Sequence, residues 1–367
     1  MENKEFINHH GLFATIITAI IGVPAFSYPR ELASTVGTDG WIIALVEGII
    51  WFLIIYITYR VIEINDYGGF YNIITNNFGK ILGFIISIFF IIYNLMFISL
   101  QMRMFTEVLK MYLLEKTPTE FILIVTILVG TYMIRSSVDD LVKFNEITLW
   151  IMIFAAVFIM IFSLNKADFT NVLPVLSNTP ADYIKAIQAT IYSFTGLQVI
   201  YLICPFVKNK NDIPKTVLKS IGFVTIFYAL IVVFTLAVLT KDQSKIMLWP
   251  TISMVKCINI PGALMERWDG IIMSLWVIFY FTSFANICYL VSDITKDTLK
   301  LGSIKFSPII IAPLIYCMAI YYPNIADVNN ALAKVDSIFG FISLILLPLL
   351  LYLISGFKHK KKKVVNR

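Results

Sequence analysis

Long apolar stretches separated by short polar ones repeat along the whole chain. Ten such runs can be placed, near residues 9–34, 40–60, 80–114, 119–135, 143–164, 182–207, 216–240, 265–292, 306–322 and 333–357. As helices rising 1.5 Å per residue, runs of this length cross a hydrocarbon core about 30 Å thick. The third is long enough to tilt or to continue past the membrane. The pattern predicts an all-α polytopic membrane protein of about ten transmembrane helices, folded as one transmembrane domain over 1–367. Two segments between runs stand out. Asp66-Tyr67-Gly68-Gly69-Phe70-Tyr71-Asn72-Ile73-Ile74 is too short to span and is expected as an amphipathic helix at the inner surface. The stretch 241–264, punctuated by Trp249-Pro250 and Pro261-Gly262, is expected as a partly helical outer loop covering the pathway.

Two of the runs are broken from within. Gly22-Val23-Pro24 interrupts the first and Phe194-Thr195-Gly196 the sixth. A break at membrane depth frees amides and carbonyls that lipid cannot satisfy, so it persists where protein or a ligand satisfies them. Gly22 and Gly196 are 174 residues apart, and moving the second run by that interval lands on the seventh. The chain thus divides by hydropathy into repeat one, about 9–164, and repeat two, about 182–357, followed by a basic tail, 358–367. Five helices that start with a broken one, taken twice, form the five-plus-five inverted arrangement in which paired breaks mark the substrate site. Amides at a half-helix N-terminus suit a carboxylate, and carbonyls at a C-terminal half-end suit an ammonium group or a cation. The two breaks together fit a zwitterionic amino acid. Packing glycines with a proline kink are the competing explanation.

Composition agrees with the membrane reading and narrows the chemistry. The chain is 59% hydrophobic, with mean hydropathy +0.83 and net charge +6. Much of that charge sits in Lys358-His359-Lys360-Lys361-Lys362-Lys363, which after a last membrane helix is expected to face anionic lipid rather than nucleic acid. Lysines and arginines concentrate in the inner segments when both termini are cytoplasmic, which is the orientation expected. Met1–His10 is polar, with no small-residue cleavage site after it, so a cleaved signal peptide is not expected. Cys204, Cys257, Cys288 and Cys317 show no paired spacing, and neither disulfide nor metal is expected from them. The histidines are terminal, and no phosphate loop, nucleophile elbow or HExxH occurs. No enzyme and no cofactor is expected.

The third helix supplies a candidate wall. Tyr93, Asn94, Phe97, Ile98 and Gln101 share one helical face and are expected to line a small pocket with an aromatic lid; interhelical packing is the alternative. Charged residues in the runs are functional by default. Here these are Glu47, Arg103, Glu107, Glu146 and the group Glu266, Arg267 and Asp269. Structural pairing is the expected role for them: Arg103 with Glu107 at i, i+4, and the outer group with Arg30. Glu47 is flanked by apolar residues, and is expected either to be protonated or to bond the broken sixth helix.

Four stretches in this order resemble the amino acid–polyamine–organocation transporter superfamily and, within it, the permease-like B subunit of spore germinant receptors. They are Gly22-Val23-Pro24 with Tyr28-Pro29-Arg30, Ser193-Phe194-Thr195-Gly196-Leu197-Gln198 with Pro205-Phe206, Leu248-Trp249-Pro250 running to Ile260, and Glu266-Arg267-Trp268-Asp269. The resemblance implies a LeuT-type fold with helices 1 and 6 broken. It implies a substrate site at Gly22, Val23, Pro24, Tyr93, Phe97, Phe194, Thr195, Gly196, Leu197, Gln198 and Thr282. In that fold the adjacent hydroxyls Thr282 and Ser283 can hold a cation against helix-one carbonyls, as a working site or its relic; bonding of each to its own helix is the alternative. Gln198 stands where related permeases often carry an acid. The function implied is a sensing subunit that binds an amino acid or similar small nutrient in the spore inner membrane or cell membrane, and triggers germination with receptor A and C subunits. A proton- or sodium-coupled amino acid symporter is the alternative, and a scaffold with an empty pocket is a third. Gly22, Gly196, Leu197, Phe97 and Tyr93 point to a ligand with a small side chain.

Overall fold

The computed structural model describes residues 6–257 and 268–365, and these are almost entirely helical. The first run is two helices, α1 (His9–Ile20) and α2 (Pro24–Thr35), bent by 56° at the break. Asn8 caps α1 by accepting the Gly11 amide at 2.7 Å. Pro24 opens α2, where its missing N–H costs nothing. Then come α3 (Gly40–Ile64), the short α4 (Phe70–Phe78) and α5 (Lys80–Tyr112). The amphipathic segment is α4, its helix starting at Phe70. They are followed by α6 (Thr119–Ile134) and α7 (Val138–Ser163).

The second half opens with α8 (Pro180–Thr190), started by a reciprocal cap between Thr179 and Asp182. Helix six then tightens into a 3-10 turn over Ile191–Phe194, breaks at Thr195-Gly196, and resumes through Leu197–Val199 into α9 (Ile200–Ile203). After it come α10 (Ile213–Ile246), α11 (Pro250–Lys256), α12 (Trp268–Thr298) and α13 (Ser307–Ile320). The seventh run extends beyond 240: α10 kinks at Thr240, where φ is 62°, and continues to Ile246. The last run is composite, with α14 (Ile325–Val335), a π-helix over Asp336–Leu346, and α15 (Leu347–Val365). A π-segment of this length is rare, and shorter ones cluster at functional sites.

Among the described residues, seven helices are long and apolar enough to cross a membrane, and up to eight if the bent α1–α2 pair is one span. The fourth and ninth runs are shorter apolar helices, Thr119–Ile134 and Ile304–Ile320. The count of ten expected from hydropathy rests on those two.

The two ends of the bundle differ. Near the chain termini, the amides of Phe6 and Ile7 both donate to the Phe206 carbonyl at 3.0 Å, and the Lys208 amide donates to the Ile7 carbonyl at 2.9 Å. Lys358 Nζ donates to the carbonyls of Asn76 and Asn77 at 2.9 Å, which brings the end of α15 to α4. At the opposite end, Asp39 is fully buried and accepts from the Leu176 amide, the Ser177 amide, Asn178 Nδ2 and the Tyr183 hydroxyl at 2.6–3.1 Å. That carboxylate pins the loop before α8 to the start of α3. Glu266 and Arg267, with the Asp269 side chain, lie outside the described residues.

Candidate functional site

The two breaks lie against each other. Gly196 has φ +130°, a backbone geometry that favours glycine. A Cβ there would stand 2.7 Å from the Ala19 carbonyl carbon and 3.0 Å from Ile20 Cα, closer than real side chains pack. Helix six thus turns directly on the backbone of helix one.

Protein groups satisfy most of what the sixth-helix break frees. Trp51 Nε1 donates to the Ile191 carbonyl at 2.7 Å, and the Tyr228 hydroxyl donates to the Ser193 carbonyl at 2.9 Å. Gln198 folds back, its Oε1 accepting the Gly196 amide at 2.9 Å, while its Nε2 donates to Asn94 Oδ1 at 2.9 Å. Phe194 packs edge-on to Tyr228 at 5.1 Å and, with Leu197, is buried. These residues build the turn.

Helix one is held differently. The Ser283 hydroxyl on α12 donates to the Ala19 carbonyl at 2.8 Å, and a Cβ on Gly22 would sit 3.2 Å from Ser283 Oγ. Gly22 therefore lets α12 approach. Thr282 turns the other way, donating to its own helix at Ile278 O (2.6 Å) and lying 3.2 Å from Thr148 Oγ1. Only one of the two hydroxyls faces helix one. One turn further along α12, Asn286 and Asn145 form a reciprocal amide pair at 2.8 and 3.1 Å. That pair also reaches Thr15 at 3.0 Å and Thr18 at 3.4 Å, and all four residues are buried. It clamps the lower half of helix one between α7 and α12.

Between the breaks is a small cavity of about 10 Å³, room for about one water. Of the substrate residues expected from sequence, Val23, Pro24, Phe97 and Thr195 line it, and so does Ser283. Gly22, Tyr93, Phe194, Gly196, Leu197, Gln198 and Thr282 stand behind that wall. Ile20, Ile98, Gln101, Tyr280, Phe284 and Ile287 complete it. The α12 contributors recur as Tyr280, Ser283, Phe284 and Ile287, a helical stripe that sequence reasoning missed beyond Ser283. Gln101 Oε1, Thr195 Oγ1 and the Tyr280 hydroxyl are buried and complete no hydrogen bond among the described residues, although the Tyr93 hydroxyl is within reach of Thr195. A buried polar atom without a partner costs about 1–3 kcal/mol. Gln101 and Tyr280 leave two such atoms on one cavity.

Pro24 and Gln101 also border a second space of about 390 Å³ that lies towards the end away from the termini. Arg30, Glu31, Gln188, Tyr192, Trp249 and Asp336 are among its walls. Asp336 starts the π-helix, is 6% exposed, and lies 3.4 Å from the Tyr93 hydroxyl. A charge within the last apolar run was the signal for it, and the sequence reading passed over it.

Glu47 joins the upper halves of both broken helices. It is fully buried, and accepts the Tyr28 hydroxyl of α2 at 2.6 Å and the Thr190 hydroxyl of α8 at 2.5 Å. Arg103 and Glu107 pair at 2.9 Å. The Glu146 carboxylate lies against Gly11, where a Cβ would be 3.1 Å from its Oε1.

Residues 6–328 match the family described as Spore germination protein. The chain belongs to that family. Within it, the chain is 27% identical over 349 residues to Spore germination protein A2 of Bacillus subtilis (strain 168), covering 94% of each. It is 25% identical over 363 residues to Spore germination protein GerQB of Bacillus cereus, covering 97% of this chain and 98% of the relative. Among solved structures, a Na+-coupled sialic acid symporter in a substrate-bound outward-open state superposes with TM-score 0.64 at 12% identity, over 93% of this chain and 79% of that one. A manganese transporter of Eremococcus coleocola gives 0.57 at 15% identity, over 93% and 78%. The fold of this spore germination protein is therefore the LeuT-type transporter fold, and the chain is a multi-pass integral membrane protein.

Proposed function

We propose that this spore germination protein is the ligand-sensing membrane subunit of a germinant receptor. It binds an amino acid or similar small nutrient between the broken helices and signals through receptor A and C subunits. The observation that carries this reading is the cavity between the breaks, where Gln101 and Tyr280 keep buried polar atoms without partners among the described residues. At about 10 Å³ the cavity must widen to admit an amino acid. Binding therefore selects a different arrangement of the helices, and partners read the shift in population.

Two features favour sensing over coupled transport. The lower half of helix one is clamped by Asn145 and Asn286, and the start of the chain is bonded to the end of helix six, so the terminal end has fixed bonds to break before it opens. Gln198 is neutral and spent on the protein, and Thr282 faces away from helix one. A proton- or sodium-coupled symporter remains the alternative that the shared fold supports, since fold does not decide function. With the termini cytoplasmic, the larger space opens outward in the spore inner membrane or cell membrane.

The test is thermal unfolding of the purified protein with each amino acid in turn. A ligand at 100 times its Kd stabilises by about 2.7 kcal/mol, which is readily seen as a raised Tm. No shift with any amino acid overturns the reading. In reconstituted vesicles, binding without concentrative uptake under an imposed proton or sodium gradient is expected, and accumulation under either gradient establishes the symporter.

A further inference from the structure

We infer that a groove on the flank of the bundle binds one acyl chain of a membrane phospholipid, laid against the ring that parts the bilayer from the central cavity. The inference does not depend on what that cavity binds. The groove, of about 540 Å³, lies between α5, α6 and α12. Its floor includes Phe105, Leu109, Ile122 and Tyr280, which are 2%, 5%, 6% and 3% exposed. On its rim, Phe121, Val125 and Val129 are 61%, 42% and 46% exposed. The groove is therefore deep, with an open mouth and a nearly inaccessible floor. On that floor the Phe105 and Tyr280 rings stack with centroids 3.9 Å apart. Tyr280 also lines the central cavity, so a single side chain separates the two spaces.

The lining decides the occupant. Thr126 donates to its own helix at the Ile122 carbonyl (2.8 Å), and Ser274 to the Gly270 carbonyl (2.8 Å). Apart from the Tyr280 hydroxyl, the other lining side chains are apolar. Water needs two to four polar partners, which this groove does not offer. Apolar walls with nothing against them forfeit dispersion contacts, so hydrocarbon is favoured there. A helix is about 10 Å across and would rest on the rim, whereas a polymethylene chain is thin enough to reach the floor. The length of α6 adds to this. At 16 residues it rises about 24 Å, less than the roughly 30 Å of a hydrocarbon core. Lipid beside so short a span must reduce its reach along the membrane normal. A chain that turns into the groove does so. The groove begins at the α5–α6 connection, where Leu113 and Leu114 line it. Glu115, Lys116 and Glu120 are exposed there, charges of both signs that suit a zwitterionic headgroup.

The test purifies the full chain in detergent and measures retained phospholipid by extraction and mass spectrometry. About one phospholipid per chain is expected. Val125→Trp and Val129→Trp each set an indole into the groove from an exposed position on α6. Crowding of this kind is expected to lower retention at least about 10-fold in both. Val157→Trp makes the same change at an exposed position on α7, away from the groove, and is expected to retain lipid like the parent. After exhaustive delipidation, phosphatidylethanolamine with two 16-carbon chains is expected to raise the Tm of the parent. The same headgroup with two 6-carbon chains is expected to raise it less.

No phospholipid above the detergent background overturns the inference. So does retention that both α6 variants leave intact, or that Val157→Trp lowers equally. Equal rescue by the short-chain lipid overturns the acyl chain as the bound part. A lipid-free dimer that Val125→Trp turns into a monomer gives the groove to a second copy of the chain instead.

Discussion

The break in helix one and the break in helix six look like a matched pair, yet the molecule treats them differently. Around helix six, Trp51, Tyr228 and Gln198 satisfy the freed backbone, and of its turn only Thr195 reaches the cavity. Around helix one, Ser283 holds one carbonyl, while Ile20, Val23 and Pro24 all form cavity wall. One break is a joint fixed by the protein, and the other faces the space. Interrupted helices therefore locate a cavity without saying which of the interrupted residues line it.

Gly196 is the sharpest place to break this contrast. At φ +130° and against the backbone of Ala19 and Ile20, an added methyl group has no side chain to push aside. Strained backbone and overpacking each cost about 1–3 kcal/mol, so Gly196→Ala is expected to lower unfolding stability by about 3 kcal/mol or more. Thermal melts in detergent measure this. An unchanged Tm means that the two breaks are not pressed together.

Gln198→Leu should come next. It leaves the Gly196 amide and Asn94 Oδ1 buried without their partner, which is expected to cost about 2 kcal/mol. Because Gln198 stands behind the wall, ligand affinity measured at a temperature where the variant is fully folded should be near that of the parent. A selective loss of affinity with normal stability would move Gln198 into the site.

Thr195→Val is the smallest change and has the opposite signature. Removing a hydroxyl whose neighbour, the Tyr93 hydroxyl, also has Asp336 within reach should change the Tm little. If the ligand uses that hydroxyl, affinity should fall about 5-fold, as expected for one lost hydrogen bond of about 1 kcal/mol. Calorimetric titration separates the two effects. A fall in stability without a fall in affinity marks Thr195 as a structural residue like its neighbours.

Much of the architecture was legible because bilayers demand long apolar helices and punish free backbone. The two breaks, the short amphipathic α4 and the Arg103–Glu107 pair all follow from that demand or from helical spacing. The wall contributed by α12 was not legible beyond its hydroxyls. Tyr280, Phe284 and Ile287 lie in an apolar run where every residue is compatible with lipid, and only packing tells inside from outside. Gln198 was ambiguous for a related reason: a polar residue beside a break is equally suited to a ligand and to the backbone it would otherwise leave bare. Asp336 and Glu31 were visible as charges inside or beside apolar runs, and needed only to be counted. The π-helix carried no sequence signal that hydropathy can read.

The Glu47 carboxylate has a further consequence, which belongs to the arithmetic of mutations rather than to geometry. Its two hydroxyl donors, Tyr28 and Thr190, come from opposite halves of the sequence and meet at the same acceptor group. Removing either leaves a buried acid with one remaining donor, and removing both leaves it with neither. Residues that share a partner in this way do not add independently. The cost of losing Tyr28 is therefore set by whether Thr190 is present. Helix one and helix six, which share little sequence, share one line in the energetics of this protein, and that line is written at Glu47.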